Sequence, residues 1–271
     1  MIPGLVDIGI NLAHDSYDAD REAVLRRALE AGVVQFIITG ASAEGSRAAL
    51  ALARAAPRIL RSTAGCHPHH AVDLDESALA TLAELAADPV VVAIGETGLD
   101  YHRNFSAPRE QRLAFERQLQ LAIRLRKPLF LHARDAHADF MAILREHAAE
   151  LPTLHDRPRA VLHCFTGNGQ ELDACLEFGL FIGITGWICD ERRGLHLREL
   201  VARIPAGRLM IETDGPYLLP RDLDPKPASR RNEPMYLPHI AQVVADLRGE
   251  TVATLAAHTT ATARDFFGLP D

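Results

Sequence analysis

Six polar side chains in this chain each close a short apolar run: Asn11 after LVDIGI, His67 after ILRSTAGC, Glu96 after VVVAIG, His132 after PLFL, His163 after RAVL and Asp214 after LMIET. Imidazoles and carboxylates are ligands for divalent cations, and His132 and His163 together with Glu96 and Asp214 make a nitrogen and oxygen set suited to Mg2+, Mn2+ or Zn2+. No cysteine joins the set, which argues against a closed structural zinc and leaves positions open for water and substrate. Taken singly, a histidine at a strand end is more often a hydrogen-bonded structural residue than a ligand. Glu96 resists that reading, because an ionised carboxylate behind an apolar run loses hydration unless a cation or hydrogen bonds meet it. The same holds for Asp214. It is the four together, each at the end of a different run, that point to a metal centre. His137, His147, His155, His196, His239 and His258 lie in helical or linker patterns and read as solvated.

The elements that must position these groups alternate in a regular way. Eight runs rich in β-branched residues, LVDIGIN, VQFIITG, ILRSTAGCHP, VVVAIGET, PLFLHAR, RAVLHCF, LFIGITG and LMIETD, read as strands apolar on both faces, as a buried parallel sheet requires. Between them lie helical patterns such as QRLAFERQLQLAIRLRK, where Phe115, Leu119, Ala122 and Ile123 share one face. Gly32 and Gly179 stand where a glycine can cap a helix before the next strand. Eight strand-then-helix repeats match a (β/α)8 TIM barrel in count and size, with a doubly wound open sheet as the competing arrangement. In a barrel the carboxyl ends of the strands converge on one face, so residues some 200 positions apart become neighbours.

Composition narrows the class. A chain of 271 residues that is 48% hydrophobic and 24% charged is ordinary for a globular enzyme, and no repeat or linker divides it, so a single domain over residues 1–271 is expected. The net charge of −7 excludes a broad basic face, so any nucleic-acid contact must be local. Neither a leader pattern nor an 18-residue apolar window is present, which predicts a cytoplasmic protein without a membrane partner; a monomer is expected. Cys66, Cys164, Cys175 and Cys189 are widely spaced and read as reduced core thiols.

The strings GCHPHH, AIGETGLDY, LFLHARD, VLHCFTG, GITGWICDERRG, IETDGPYLLPRDL and PKPASRRNEP, in order from Asp7 to Phe267, resemble the TatD family of metal-dependent deoxyribonucleases, and its TatD branch above the others. The resemblance implies a (β/α)8 barrel, a divalent-metal centre and a cytoplasmic enzyme hydrolysing phosphodiester bonds from single-stranded DNA ends, 3′ to 5′, with RNA as a further substrate. Most members of that family carry a His-x-His pair at the end of the first strand, whereas Gly9, Ile10 and Asn11 fill that triplet here. Carried over residue by residue, the metal ligands are Glu96, His132, His163 and Asp214. One firmly held ion is expected, on Glu96, His132 and His163, with Mg2+ favoured over Mn2+ or Zn2+. Asp214 is then the general base that aims a water, and His67 hydrogen-bonds the scissile phosphate or protonates the leaving oxygen.

Substrate contacts are expected from Asn11, from Arg103 and Arg134 toward phosphates, and from Trp187 and Tyr217 stacking on unpaired bases. A surface or ion-paired role is an equal reading for each arginine. Tyr101 is a further stacking candidate, Phe105 reads as packing, and RRNEP (residues 230–234) as a network pinning the last loop. Two other functions compete with the nuclease: hydrolysis of an ester or amide such as an aminoacyl link on transfer RNA, and a binding protein that has lost catalysis with its first histidine pair.

Overall fold

The computed structural model describes residues 4–270. The strands β1 (Leu5–Ile10), β2 (Val33–Ile38), β3 (Leu60–Ala64), β4 (Val91–Asp100), β5 (Leu129–Arg134), β6 (Ala160–Leu162), β7 (Phe181–Ile184) and β8 (Leu209–Ile211) form one eight-stranded sheet in chain order. Every residue of β1 and β4 is buried, which is why these runs carry so little polar alternation. The registered pairs run parallel, among them Leu5 opposite Val33, Ile94 opposite Leu129 and Leu209 opposite Ile182. Beyond the last strand, Asp214 N donates to Gly9 O at 2.8 Å and Asn11 N to Gly215 O at 2.8 Å, tying the end of β8 to the end of β1.

Helices fill the intervals: α1 (Arg21–Glu30), α2 (Ala43–Ala55), α3 (Glu76–Ala86), α4 (Pro108–Leu125), α5 (His137–Glu146), α6 (Gly169–Phe178) and α7 (Leu195–Leu200), with α8 (Leu237–Arg248) and α9 (Val252–Phe267) ending the chain. This order is that of the (β/α)8 barrel. Gly32 and Gly179 follow α1 and α6 with φ of +95° and +108°, the backbone their helix ends called for. A small antiparallel hairpin, Thr153–Leu154 with Arg157–Pro158, was not anticipated, because two-residue strands leave no periodic signal. Among the described residues, no helix is long and apolar enough to cross a membrane.

The chain falls into two compact units, neither contiguous in sequence. One comprises Thr39–His163 and Asp173–Phe181. Within it α4 buries Ala114, Phe115, Leu119 and Ala122, as its apolar face predicts, while Ile123 at the edge is half-buried. The same face carries two buried glutamines seven residues apart, two helical turns. Gln111 accepts from Asp100 N at 2.8 Å and donates to Asp100 O at 3.0 Å; Gln118 does the same for Cys66, at 2.7 and 3.0 Å. Each amide thus pairs with both backbone groups of a strand-end residue that would otherwise be buried unsatisfied.

The other unit holds the residues up to Ile38, Cys164–Leu172 and the chain from Ile182. Here the RRNEP segment forms the network expected of it. Arg231 pairs with Asp20 at 2.8 Å and Glu233 at 2.7 Å, Arg27 reaches Glu233 at 2.7 Å, Asn232 donates to Thr213 O at 2.9 Å, and the Tyr17 hydroxyl donates to Asn232 O at 2.6 Å. Paired arginines draw the Asp20 carboxyl down to about 2, the hydrogen bond from Arg231 being the largest cause.

Candidate metal centre

Glu96 sits in the middle of β4, wholly surrounded by buried neighbours. Strand β4 can lie this close to β5 because of its glycines. At Gly98, φ is +145° and a Cβ would come 1.9 Å from the carbonyl oxygen of His132, its registered partner. Any side chain there would push His132 away.

Three imidazoles converge on a single oxygen of Glu96. His163 Nε2 lies 2.7 Å from Oε1, His132 Nδ1 2.9 Å and His67 Nε2 3.3 Å. Burial, the largest influence on the Glu96 carboxyl, favours its neutral form, but His163, His67 and the hydrogen bonds from His132 and His163 outweigh it and hold the group well below the usual carboxylate range. Burial pushes the His67 imidazole down to about 4. His132 is buried as well, which works against its protonation, yet hydrogen bonds to Asp100 and Glu96 hold its pKa up.

The roles of the three rings differ. His67 caps the 3-10 turn Pro68–Asp73, and its Nδ1 accepts from His69 N at 3.0 Å. A neutral imidazole that accepts through Nδ1 carries its proton on Nε2. His67 therefore faces Glu96 as a hydrogen-bond donor in the ion-free cluster. His132 Nε2 is buried and faces the Asp100 carboxylate at 3.5 Å, an ion-pair distance. His67, Glu96 and His132 bring one ligand atom each within 4.8 Å of one another, an imidazole and carboxylate set that fits a divalent cation, and His163 approaches the same Glu96 oxygen.

Asp100, absent from the candidates drawn from sequence, braces this cluster. Its Oδ2 pairs with His69 Nε2 at 2.9 Å, and its Oδ1 accepts from the backbone of His102 at 3.0 Å and Arg103 at 2.9 Å. Burial favours its neutral form, but its histidine partners and the Arg103 amide hold its carboxyl far below the usual range. Period-two spacing was the available signal: residues 96, 98 and 100 share one face of a strand.

Arg103 is exposed on the loop that Asp100 organises, and Arg134 is half-buried at the end of β5, in register with Asp100. Tyr101 is half-buried and donates its hydroxyl to Asp139 at 2.7 Å. Phe105 departs from its expected packing role: its ring is 67% exposed, edge-on to His69 at 4.7 Å. A loop tip has no second apolar layer to cover it, so an isolated aromatic there stays in solvent.

The remaining candidates belong to the unit that contains β1 and β8. Asp214, three residues beyond β8, adopts a left-handed conformation (φ +54°), which a short polar side chain tolerates, and its Oδ1 accepts from Asn11 Nδ2 at 3.1 Å. Nearby Asp7 is fully buried, with Oδ1 accepting from Thr213 N at 3.0 Å and Oδ2 from the Thr213 hydroxyl at 2.5 Å. Burial outweighs these bonds and raises its carboxyl to about 7. Trp187 lies beneath the Arg193 guanidinium, 4.4 Å from the ring centre, and donates Nε1–H to Arg193 O at 3.3 Å. Tyr217 is 52% exposed and edge-on to His14 at 5.7 Å. Several histidines read as solvated have partners, among them His239 with Asp222 at 2.7 Å, His258 with Glu250 at 3.1 Å and His196 with Thr166 O at 3.0 Å. Helical periodicity cannot reveal an acidic partner that arrives from another element.

Known proteins resemble this chain in sequence and fold. The chain is 54% identical over 266 residues to the 3'-5' ssDNA/RNA exonuclease TatD of Erwinia billingiae (strain Eb661), covering 98% of this chain and all of that one. A second such exonuclease, from Erwinia tasmaniensis, is 55% identical over 265 residues with the same coverage. Among solved structures, YJJV, a TatD homolog from Escherichia coli k12, superposes with a TM-score of 0.87 at 28% identity over the whole of both chains, and a hydrolase TatD family protein from Entamoeba histolytica gives 0.87 at 26% over the same extent. These likenesses carry the (β/α)8 barrel, and the TatD related DNase family model matches residues 6–268. With the match running from β1 to the end of the last helix, the chain belongs to the TatD related DNase family.

Proposed function

We propose that this protein is a metal-dependent nuclease that removes nucleotides from the 3′ ends of single-stranded DNA and RNA. The convergence of His132 and His163 on Glu96 Oε1 carries the reading, because it gathers two imidazoles and a carboxylate around one point. Relatives at 54–55% identity bearing that activity in their names support the substrate class.

In this reading Glu96, His132 and His163 hold the ion, Mg2+ first with Mn2+ or Zn2+ as substitutes. When bound, such an ion supplies Lewis acidity at a phosphoryl oxygen and makes a water acidic enough to lose a proton near neutral pH. Asp100 orients His69 and the Arg103 loop. His67 donates its Nε2–H toward a phosphate oxygen or the leaving group. Asp214 is kept as the base for the attacking water; this role rests on the family resemblance. Arg103 offers a phosphate contact and Phe105 a face for the terminal base, a stack worth about 1–3 kcal/mol. The cytoplasm is the proposed compartment, where four free cysteines stay reduced.

The test uses 5′-labelled single strands of DNA and RNA incubated with protein, Mg2+, Mn2+ or Zn2+, and with chelator. A ladder shortening from the 3′ end that vanishes with chelator is expected. Metal-independent cleavage, or mononucleotide release confined to 5′ ends, would refute it.

A further inference from the structure

A second cluster of ligating side chains lies within the unit that contains β8, formed by residues that the nuclease reading leaves unused. Cys189 closes the 3-10 turn Gly186–Cys189 after β7 and is fully buried; Asp222 lies on the loop after β8; His239 is in the first turn of α8. Each offers one ligand atom, and the three atoms lie within 4.8 Å of one another. The imidazole Nε2 is 2.7 Å from Asp222 Oδ1, and both side chains remain about one-third exposed, 31% and 35%.

We propose that Cys189, Asp222 and His239 form a second metal site, taking a borderline-soft divalent ion of the zinc class. The donor set decides the class. Thiolate, imidazole and carboxylate favour Zn2+ or Co2+, whereas Mg2+ seeks oxygen ligands in an octahedron. A tetrahedral ion at about 2.3 Å from sulfur and about 2.0–2.2 Å from nitrogen and oxygen sets its donors roughly 3.5 Å apart. The His239–Asp222 spacing of 2.7 Å is shorter than that and no pair among the three atoms exceeds 4.8 Å, so the site forms with side-chain shifts of about 1 Å. On binding, the Cys189 Sγ–H proton passes to solvent as the S–metal bond forms, and the fourth position is left to water on the exposed side.

Occupancy would have a structural consequence. A cavity of about 400 Å³ in this unit is lined by Trp187, Asp190, Arg193, Arg221, Lys226 and Arg230 among others. Its walls are the segments that carry Cys189 and Asp222, and an ion clasped by these two residues and His239 anchors both walls to α8. The inference does not depend on the nuclease reading.

Cobalt separates this site from the Glu96 cluster, because only a thiolate ligand produces a sulfur-to-cobalt charge-transfer band in the near ultraviolet. Titrating Co2+ into the full chain is expected to raise that band to one equivalent, with Zn2+ abolishing it and Mg2+ leaving it intact. Glu96→Ala and Cys175→Ser should keep it; Cys189→Ser should lose it. Should Cys189→Ser fail to fold, His239→Ala, altered at a partly exposed position, should weaken Co2+ binding at least about tenfold. No band in the wild-type chain, a band that survives Cys189→Ser, one lost in Glu96→Ala, or unchanged affinity in His239→Ala would overturn the proposal.

Discussion

Two regions of this molecule bury a carboxylate within a strand, Glu96 in β4 and Asp7 in β1, and treat it differently. At Glu96, three imidazoles crowd one oxygen, and the far nitrogen of His132 lies 3.5 Å from a second carboxylate, Asp100. At the joined ends of β1 and β8, the Asp7 carboxylate is met by a hydroxyl and backbone amides, and Asp214 by the amide of Asn11. Hydrogen-bond donors satisfy an anion directly, as the imidazoles do around Glu96, but an imidazole nitrogen that gives up its proton can turn a lone pair to a cation instead, which an amide cannot. Where the family resemblance implies a histidine pair, Asn11 supplies an amide donor. In the proposed reading the ion belongs with Glu96 and needs no ligand from the first strand.

Substitutions can break or sharpen the contrast. The largest effect is expected from Glu96→Ala, which should lower metal-dependent turnover by about 10³-fold or more in single-turnover assays, since metal charge stabilisation is worth several kcal/mol. Asn11→Ala should cost about tenfold or less; an equal loss in both would erase the distinction drawn between the regions.

Asp7 provides the next test. Its carboxyl is raised to about 7 against a usual value of 3.8, burial being the cause, so the folded chain holds a proton that the unfolded chain releases above pH 4. The sign follows: stability falls as pH rises from about 4 to 7 and the dependence then flattens. Urea midpoints should show wild type losing roughly 2–3 kcal/mol relative to Asp7→Asn between pH 5 and 7.5. A gap that stays constant with pH would mean that Asp7 is ionised throughout.

Gln118→Leu probes the support behind His67. It strands the amide and carbonyl of buried Cys66, an expected loss of about 1–3 kcal/mol measurable by urea unfolding. The metal affinity of the Glu96 cluster should change little, because His67 is read as a donor and not a ligand. The smallest effect is expected from Arg103→Ala, which should raise KM a few-fold for every strand sequence and reduce the salt slope of binding by about 1. A change confined to one sequence would assign Arg103 to base recognition.

Much of the site could be read along the chain because a parallel barrel forces its ligands to strand ends, where a single polar residue after an apolar run stands out. Glu96, His132 and His163 were found that way. Asp100 was passed over because the run continued beyond Glu96: β4 extends to residue 100, and its second carboxylate looked like part of the following loop. The clamps of Gln111 and Gln118 were invisible for a related reason. On an amphipathic helix a polar residue is assigned to solvent by default, and only the packed strand end shows that it faces inward.

Strand count, helix alternation and the polar residues that close apolar runs were determined by the amino-acid order alone, because periodicity is a local property of a chain. Tertiary structure decided that three imidazoles meet on one oxygen of Glu96, that Asp100 stands behind two of the histidines, and that Cys189, Asp222 and His239 meet. Those outcomes depend on distances between segments tens of residues apart, and such distances exist only once the strands have been set side by side.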